Sequence, residues 1–246
     1  MTTLLFEPPN RRRIFLMRHA EAAYIADDGS ITEDPRMVPL TPTGRIQARK
    51  QAAVLASVEF DRAICSGLPR TVETAQLMLA YRAHPELEVM PQLEEIKGGG
   101  APDAGTDMAT WLRHVANPWA AADEPDAQFL GGERFADFAE RIIPVFEEIV
   151  ADDSWTTLLL VLHGAVNRML FNHVLGIPWQ SNASIEQDNC CINIIDVDDQ
   201  GAGQPPRYLV RGVNLTGYDL NKSSVFLTNM EQAAQRIAED FANNSN

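Results

Sequence analysis

The sequence predicts an α/β protein: a three-layer α/β/α sandwich with a mostly parallel central sheet, helices on both of its faces, and one insertion of helix and loop over the strand ends. Three observations predict it. Short apolar runs alternate with longer segments of helical spacing, so that residues 14–17 and 62–65 are each followed by a helix-opening proline signal. The runs IFLM and TLLLVL are apolar without alternation, the pattern of strands covered on both sides. The length, 246 residues with 45% hydrophobic residues, suits one large domain spanning 1–246.

In chain order, residues 14–17 form a first buried strand that delivers Arg18-His19-Ala20-Glu21 at its carboxyl end. A polar loop with Asp27, Asp28, Gly29 and Pro35 follows. Thr41-Pro42-Thr43-Gly44 opens a helix reaching about Ser57, because threonine caps a helix start and proline fits the first turn; Ile46, Val54 and Leu55 are among its apolar positions. Residues 62–65 make a second strand, 69–81 a helix and 87–90 a third strand. The alternation then stops. Residues 97–134 carry Gly98-Gly99-Gly100, Trp111, Trp119, Phe129 and several acids. Two readings weigh evenly here, a surface excursion that buries its own tryptophans and a lid over the site. Residues 135–150 resume as a helix, 157–162 as a strongly apolar strand and 165–175 as the next helix. Residues 192–197 and 208–213 read as two strands across the turn-rich 198–206, adding an antiparallel edge. A helix over 229–244 lies within a C-terminal extension, 221–246.

Composition excludes several classes. A formal charge of −14 repels nucleic acid and anionic membrane surfaces. The chain lacks an apolar run of about 18 residues, and its opening MTTLLFEPPNRRR is broken by Glu7, Pro8 and Pro9, so neither a membrane span nor export is expected. Cys65, Cys190 and Cys191 are odd in number with two adjacent, which suits a reducing cytoplasm rather than a disulfide framework. Metal-ligand spacing is missing too. Arg11-Arg12-Arg13 reads as a solvated basic terminus.

In such sheets ligands bind beyond the carboxyl ends of the strands. Arg18-His19, Ser66 to Arg70, and His163-Gly164 each follow an apolar run. Two histidines on different strand ends, beside Arg18, Arg70 and the N–H of Gly164 at a helix start, point to a phosphate. Phosphoryl transfer needs a nucleophile and stabilisation of charge on the equatorial oxygens, which arginine supplies without titrating. One neutral imidazole attacks phosphorus while a second, protonated one holds the transferring group. The residues alone leave the choice between His19 and His163 open. Glu94 or Glu95 is placed to protonate the leaving oxygen, and Ser66 suits a phosphate or helix-cap contact. Tyr24, Arg36, Lys97 and Arg168 read equally well as substrate contacts or surface ion-pair partners and stay outside the catalytic set. His84, His114 and His173 read as structural or solvated, and Cys65 as a small hydrophobe.

The ordered motifs resemble those of the histidine phosphatase (phosphoglycerate mutase-like) superfamily. Arg18-His19-Ala20-Glu21 is similar to its Arg-His-Gly-Glu signature, and Leu40-Thr41-Pro42-Thr43-Gly44-Arg45-Ile46-Gln47-Ala48 to its Leu-Thr-x-x-Gly-x-x-Gln-Ala helix start. Ser66 to Ala75 is similar to the family's Ser-x-x-x-Arg-x-x-x-Thr-Ala stretch, and Leu93-Glu94-Glu95 to its Leu-x-Glu element. Gly131-Gly132-Glu133 with Phe138 and Arg141, Leu162-His163-Gly164, and Val213-Asn214-Leu215 resemble later elements, so the likeness runs over about 12–220.

The resemblance implies His19 as phosphoryl acceptor, Arg18, Arg70 and His163 as the phosphate pocket, Glu95 rather than Glu94 as general acid and base, and neither metal nor organic cofactor. Two positions depart from the pattern. Ala20 replaces the usual glycine, and the asparagine common shortly after the histidine is missing among Tyr24, Ile25 and Ala26. The glutamate is followed by Ile96-Lys97-Gly98-Gly99-Gly100, not by the longer Arg-His-Tyr-Gly-like stretch of mutases. That favours a metal-independent phosphomonoesterase of the histidine acid phosphatase type, acting through phosphohistidine on a small phosphorylated metabolite. The alternatives are a phosphomutase and a non-catalytic phosphate binder. A homodimer stays open.

Overall fold

The computed structural model describes residues 10–24, 32, 34–80, 83, 85–99, 105–201, 204–223 and 226–244. Ile25, Ala26, Asp27, Asp28, Gly29, Tyr81, His84 and Gly100 lie outside the described residues. Six strands form one sheet: β1 (Arg11–Arg18), β2 (Arg62–Cys65), β3 (Leu87–Val89), β4 (Thr157–Leu162), β5 (Ile192–Asp198) and β6 (Arg207–Leu215). Their order is β3-β2-β4-β1-β5-β6. The first four in that order run parallel, β5 pairs antiparallel with β1, and β6 antiparallel with β5. The antiparallel edge expected from the late strands is present, and the sandwich has three layers.

Alternation along the central strands divides the core. Leu158, Leu160 and Leu162 pack with Ile14, Leu16 and Ile64 on the side of α4 (Phe135–Ala151) and α5 (Gly164–Leu175). Leu159 and Val161 pack with Phe15, Met17, Ala63 and Cys65 on the side of α1 (Pro42–Val54) and α2 (Pro69–Leu79). Burying each such leucine contributes about 1.5–3 kcal/mol, which is why these runs carry no polar residue.

Two local expectations are corrected. Arg11-Arg12-Arg13 is not a solvated terminus but the opening of β1. Arg11 and Arg13 each form a two-bond ion pair with the aspartate opposite on β5, Asp198 and Asp196, through Nε at 2.5 and 2.6 Å. Arg12 turns to the other face, donates to the carbonyls of Val150 and Asp152, and stacks over Trp155. Partners distant in sequence thus draw the charges into the sheet. On α1, Ile46 and Val54 are exposed, and the inward face is Gly44, Ala48 and Gln51. The buried amide of Gln51 repays its desolvation by donating to the carbonyls of Cys190 and Leu215 and accepting from Gly217 N–H.

The segment 97–134 contains α3 (Met108–Ala116), capped by the Asp107 carboxylate. Trp119 is buried against Phe129 and Phe135, whereas Trp111 stays half-buried beside exposed His114. Lys97 to Gly99 runs against Leu130 to Glu133, with Glu133 N–H donating to Lys97 O at 2.7 Å and Gly99 N–H to Leu130 O at 3.1 Å. Glycines permit that approach: a Cβ on Gly99 would lie 2.3 Å from the Gly131 carbonyl, and one on Gly132 only 2.1 Å from that of Lys97. The terminal helix α6 (Asn229–Asn244) packs on α3. None of the described helices is long and apolar enough to cross a membrane.

Candidate active site

The carboxyl ends of β1, β2 and β4, three neighbours in the sheet, bring Arg18-His19, Ser66 and His163 together. His19 N–H donates to the carbonyl of Leu162, the residue before His163, at 2.9 Å. The two imidazoles are buried with ring centroids 5.3 Å apart.

Their hydrogen bonds fix both tautomers. Nδ1 of His19 lies 2.7 Å from the Ala20 carbonyl, which only accepts, so Nδ1 carries the hydrogen and neutral His19 presents its lone pair at Nε2. His163 is set by a chain of hydroxyls. The Thr71 hydroxyl donates to Leu68 O (2.8 Å) and therefore accepts from Ser66 Oγ (3.0 Å); Ser66, its one hydrogen spent, accepts from Nε2–H of His163 (2.7 Å). The lone pair of neutral His163 is then at Nδ1, which is buried without a partner among the described residues.

In this cluster two further nitrogens share that condition among the described residues. Arg18 Nη1 donates to Gln187 O at 2.6 Å, and Arg70 Nη1 to the carbonyls of Pro35 and Arg36, while Nε of each arginine is buried with no partner among the described residues. A buried polar group without a partner costs about 1–3 kcal/mol, more if charged. An anion bound here would satisfy such donors. Gly164 opens α5 against this cluster: a Cβ on it would lie 3.4 Å from Arg18 Nε and 3.2 Å from Arg168 Nη1.

Charge follows geometry. Burial first, then the cations of Arg70 and Arg18, hold His19 well below the ordinary imidazole pKa against the opposing bond to Ala20. His163 is lowered by burial, then by Arg70, His19 and Arg18. Both shifts favour the neutral form of the rings.

Glu95 and Glu94 part company. Half-buried Glu95 accepts from Ala165 N–H in the first turn of α5 (3.2 Å) and from Ile96 N–H, whereas Glu94 is ion-paired with Arg36. Arg141 holds this turn by donating to the carbonyls of Gln92 and Glu94 while both its Nε and Nη2 bond Glu133. That gives the Gly-Glu-led motif a physical role. Likewise Thr41 caps α1 at Gly44 N–H and binds Glu21, and a Cβ on Gly44 would strike Glu21 O at 2.1 Å.

Some members escaped the sequence reading. Tyr24, left outside the catalytic set, sits beneath the Arg70 guanidinium at 5.6 Å; burial raises its phenol pKa, Arg70 and Arg18 oppose this, and nearby Glu95 adds to it. Arg168 is buried and bonds Ile185 O, Glu186 and Gly164 O, so it braces the site rather than the surface. A buried amide group of Asn167, Gln187 and Asn193 backs Arg18, and nothing in its spacing announces it. Asn214 brackets Asp188, accepting from its N–H and donating to its carboxylate. Lys97 is exposed, His114 stacks on Trp111, and His173 lies 3.4 Å from Glu147, all outside the cluster. Among the described residues no group of three or more His, Cys, Asp or Glu is placed to hold a metal ion.

Fold and site define a class: a three-layer α/β protein whose strand ends gather paired histidines and arginines into one buried cluster. The chain belongs to the histidine phosphatase superfamily, branch 1, which it matches over residues 14–204. It is 30% identical over 188 residues to the adenosylcobalamin/alpha-ribazole phosphatase of Salmonella typhimurium, covering 75% of this chain and 90% of that one. Over 189 residues it is 26% identical to the protein named "Probable phosphoglycerate mutase GpmB" of Enterobacter sp. (strain 638), covering 75% and 84%. The crystal structure of the alpha-ribazole phosphatase from Shigella flexneri superposes with a TM-score of 0.65 at 25% identity, covering 82% of this chain and 96% of the other.

Proposed function

We propose that the protein hydrolyses phosphomonoesters of small metabolites through a phosphohistidine on Nε2 of His19. The observation that carries this reading is the tautomer of His19: a buried imidazole whose hydrogen is fixed on Nδ1, leaving a nucleophilic Nε2 beside nitrogens of Arg18, Arg70 and His163 that have no partner among the described residues.

The steps balance as follows. The Nε2 lone pair forms a P–N bond as the P–O bond to the alcohol breaks, and the departing oxygen takes a proton from the Glu95 carboxyl. Glu95, now a carboxylate, accepts a proton from water as that water attacks phosphorus, the P–N bond breaks, and inorganic phosphate leaves. Arg18 and Arg70 meet the charge on the equatorial oxygens. His163 takes up a proton when the dianion arrives and donates it from Nδ1, while Ser66 keeps hold of Nε2. Tyr24 keeps its hydrogen, because burial raises its pKa, and supplies a neutral donor beside Arg70. Gly164 lets the helix start approach the anion.

The test is phosphate release from a panel of phosphomonoesters with EDTA present, for the parent and His19→Ala. Turnover lost by orders of magnitude in the variant, with an acid-labile phosphoenzyme trapped only in the parent, supports the reading. Full activity in the variant refutes the nucleophile. Phosphate transferred to a second hydroxyl instead of water makes the protein a mutase, and binding without turnover makes it a phosphate-ligand binder.

A further inference from the structure

The C-terminal helix α6 lies beyond the residues that match the family, yet its first residue bonds the carbonyl that holds Arg18. Asn229 Nδ2 donates to Oε1 of Glu186 at 2.6 Å and to the Gln187 carbonyl at 3.1 Å, and its backbone N–H also reaches Glu186 Oε1 at 3.2 Å. The Gln187 carbonyl is the oxygen that accepts from Arg18 Nη1 at 2.6 Å. The other oxygen of Glu186 accepts from Arg168 Nη2 at 2.9 Å, and Arg168 Nε donates to Ile185 O at 2.7 Å. Residues 185–187 are therefore gripped from three sides, by β1, by α5 and by α6.

We propose that Asn229 is a positioning residue for the anion pocket, holding the Glu186-Gln187 strip so that its carbonyl aims the Arg18 guanidinium. The proposal rests on the reading of Arg18 as a phosphate ligand. A carbonyl oxygen has two lone pairs; Arg18 takes one and Asn229 the other, so the direction of the acceptor is set from both sides. Asn229 is itself fixed, because Thr228 and Glu231 form a capping box at the start of α6: Thr228 N–H donates to Glu231 Oε2 at 2.7 Å and Glu231 N–H to Thr228 Oγ1 at 3.1 Å. The body of α6 packs on α3. One helix thus joins the inserted segment to the carbonyl that holds Arg18.

The experiment uses the full chain with Asn229→Ala and the isosteric Asn229→Asp, which sets a carboxylate against Glu186. Three readouts are taken: the Kd for inorganic phosphate, KM and kcat on an aryl phosphate, and the side-chain Nε–H resonance of Arg18, assigned by its loss in Arg18→Lys. Expected are a rise of about tenfold in both Kd and KM for the alanine variant, a larger rise for the aspartate, and a displaced or faster-exchanging Arg18 Nε–H signal in both. A merely structural role lowers Tm and leaves these quantities unchanged. Values within twofold of the parent, or an undisplaced Arg18 signal in the aspartate variant, overturn the proposal. Because the resonance is read on the free protein, it decides the matter even where the parent turns over no ester.

Discussion

Ser66→Ala isolates the hydroxyl behind His163. In the free protein His163 is neutral, and its Nε2–H bond to Ser66, 2.7 Å long and fully buried, contributes about 0.5–1.5 kcal/mol, as neutral hydrogen bonds do. Once a phosphate dianion enters, the donor is an imidazolium and the same bond contributes about 1.5–3 kcal/mol. Only the difference, about 1–1.5 kcal/mol, enters kcat/KM, because that ratio compares the free enzyme with the transition state. The variant should therefore lose about five- to tenfold in kcat/KM, since each 1.36 kcal/mol is tenfold. The alkaline limb of kcat should move down by about one pH unit, because the imidazolium has lost its acceptor. Leaving the buried Nε2–H of His163 without a partner costs about 1–3 kcal/mol and should lower Tm by about 2–4 °C per kcal/mol in a chain of this size. Steady-state kinetics from pH 5 to 9 and a thermal melt measure all three. An alkaline limb that stays in place, with kcat/KM within twofold of the parent, refutes the hydroxyl chain and with it the tautomer assigned to His163.

Other perturbations follow from the same geometry. Gly164→Ala puts a methyl group 3.2 Å from Arg168 Nη1 and in van der Waals contact with Arg18 Nε at 3.4 Å, so the Arg168 guanidinium must shift by a few tenths of an ångström; calorimetry should show phosphate Kd rising several-fold, and an unchanged Kd removes Gly164 from the pocket. Tyr24→Phe deletes a hydroxyl but little packing, so kcat/KM should fall about 5- to 50-fold with Tm unchanged, whereas equal kinetics make the ring a mere platform for Arg70. Phosphate binding near pH 8 should take up a proton, seen as a dependence of the binding enthalpy on buffer ionisation, and His163→Asn should abolish it. Both histidines have folded pKa values below the unfolded value of about 6.5, so the unfolded chain binds more protons below that pH. The stability tied to them is complete above about 6.5 and is lost as pH falls toward the depressed folded values. Urea midpoints should drop between pH 7.5 and 5.5, and His19→Asn/His163→Asn should flatten that slope; a parent midpoint equal at both pH values contradicts the assignment.

The sequence by itself determined the layers and the place of the chemistry, because both are written in local patterns. Unbroken apolar runs such as 157–162 have no stable place except a strand covered on both faces, and a polar residue directly after such a run falls at the strand's carboxyl end. His19, Ser66, Arg70, His163 and Gly164 were legible for that reason. Tertiary structure alone decided what depends on partners far along the chain. Arg11 and Arg13 entered the sheet because Asp198 and Asp196 stand opposite, nearly two hundred residues away. The preference for Glu95 over Glu94 was already in the Leu-x-Glu likeness; only the contacts that hold the two apart, the first turn of α5 and Arg36, came from the tertiary structure. The tautomers of His19 and His163 came from a carbonyl and a chain of hydroxyls that no spacing encodes. The link from α6 to Arg18 passes through a shared carbonyl oxygen, and every residue has one, so only its position in space gives it a role.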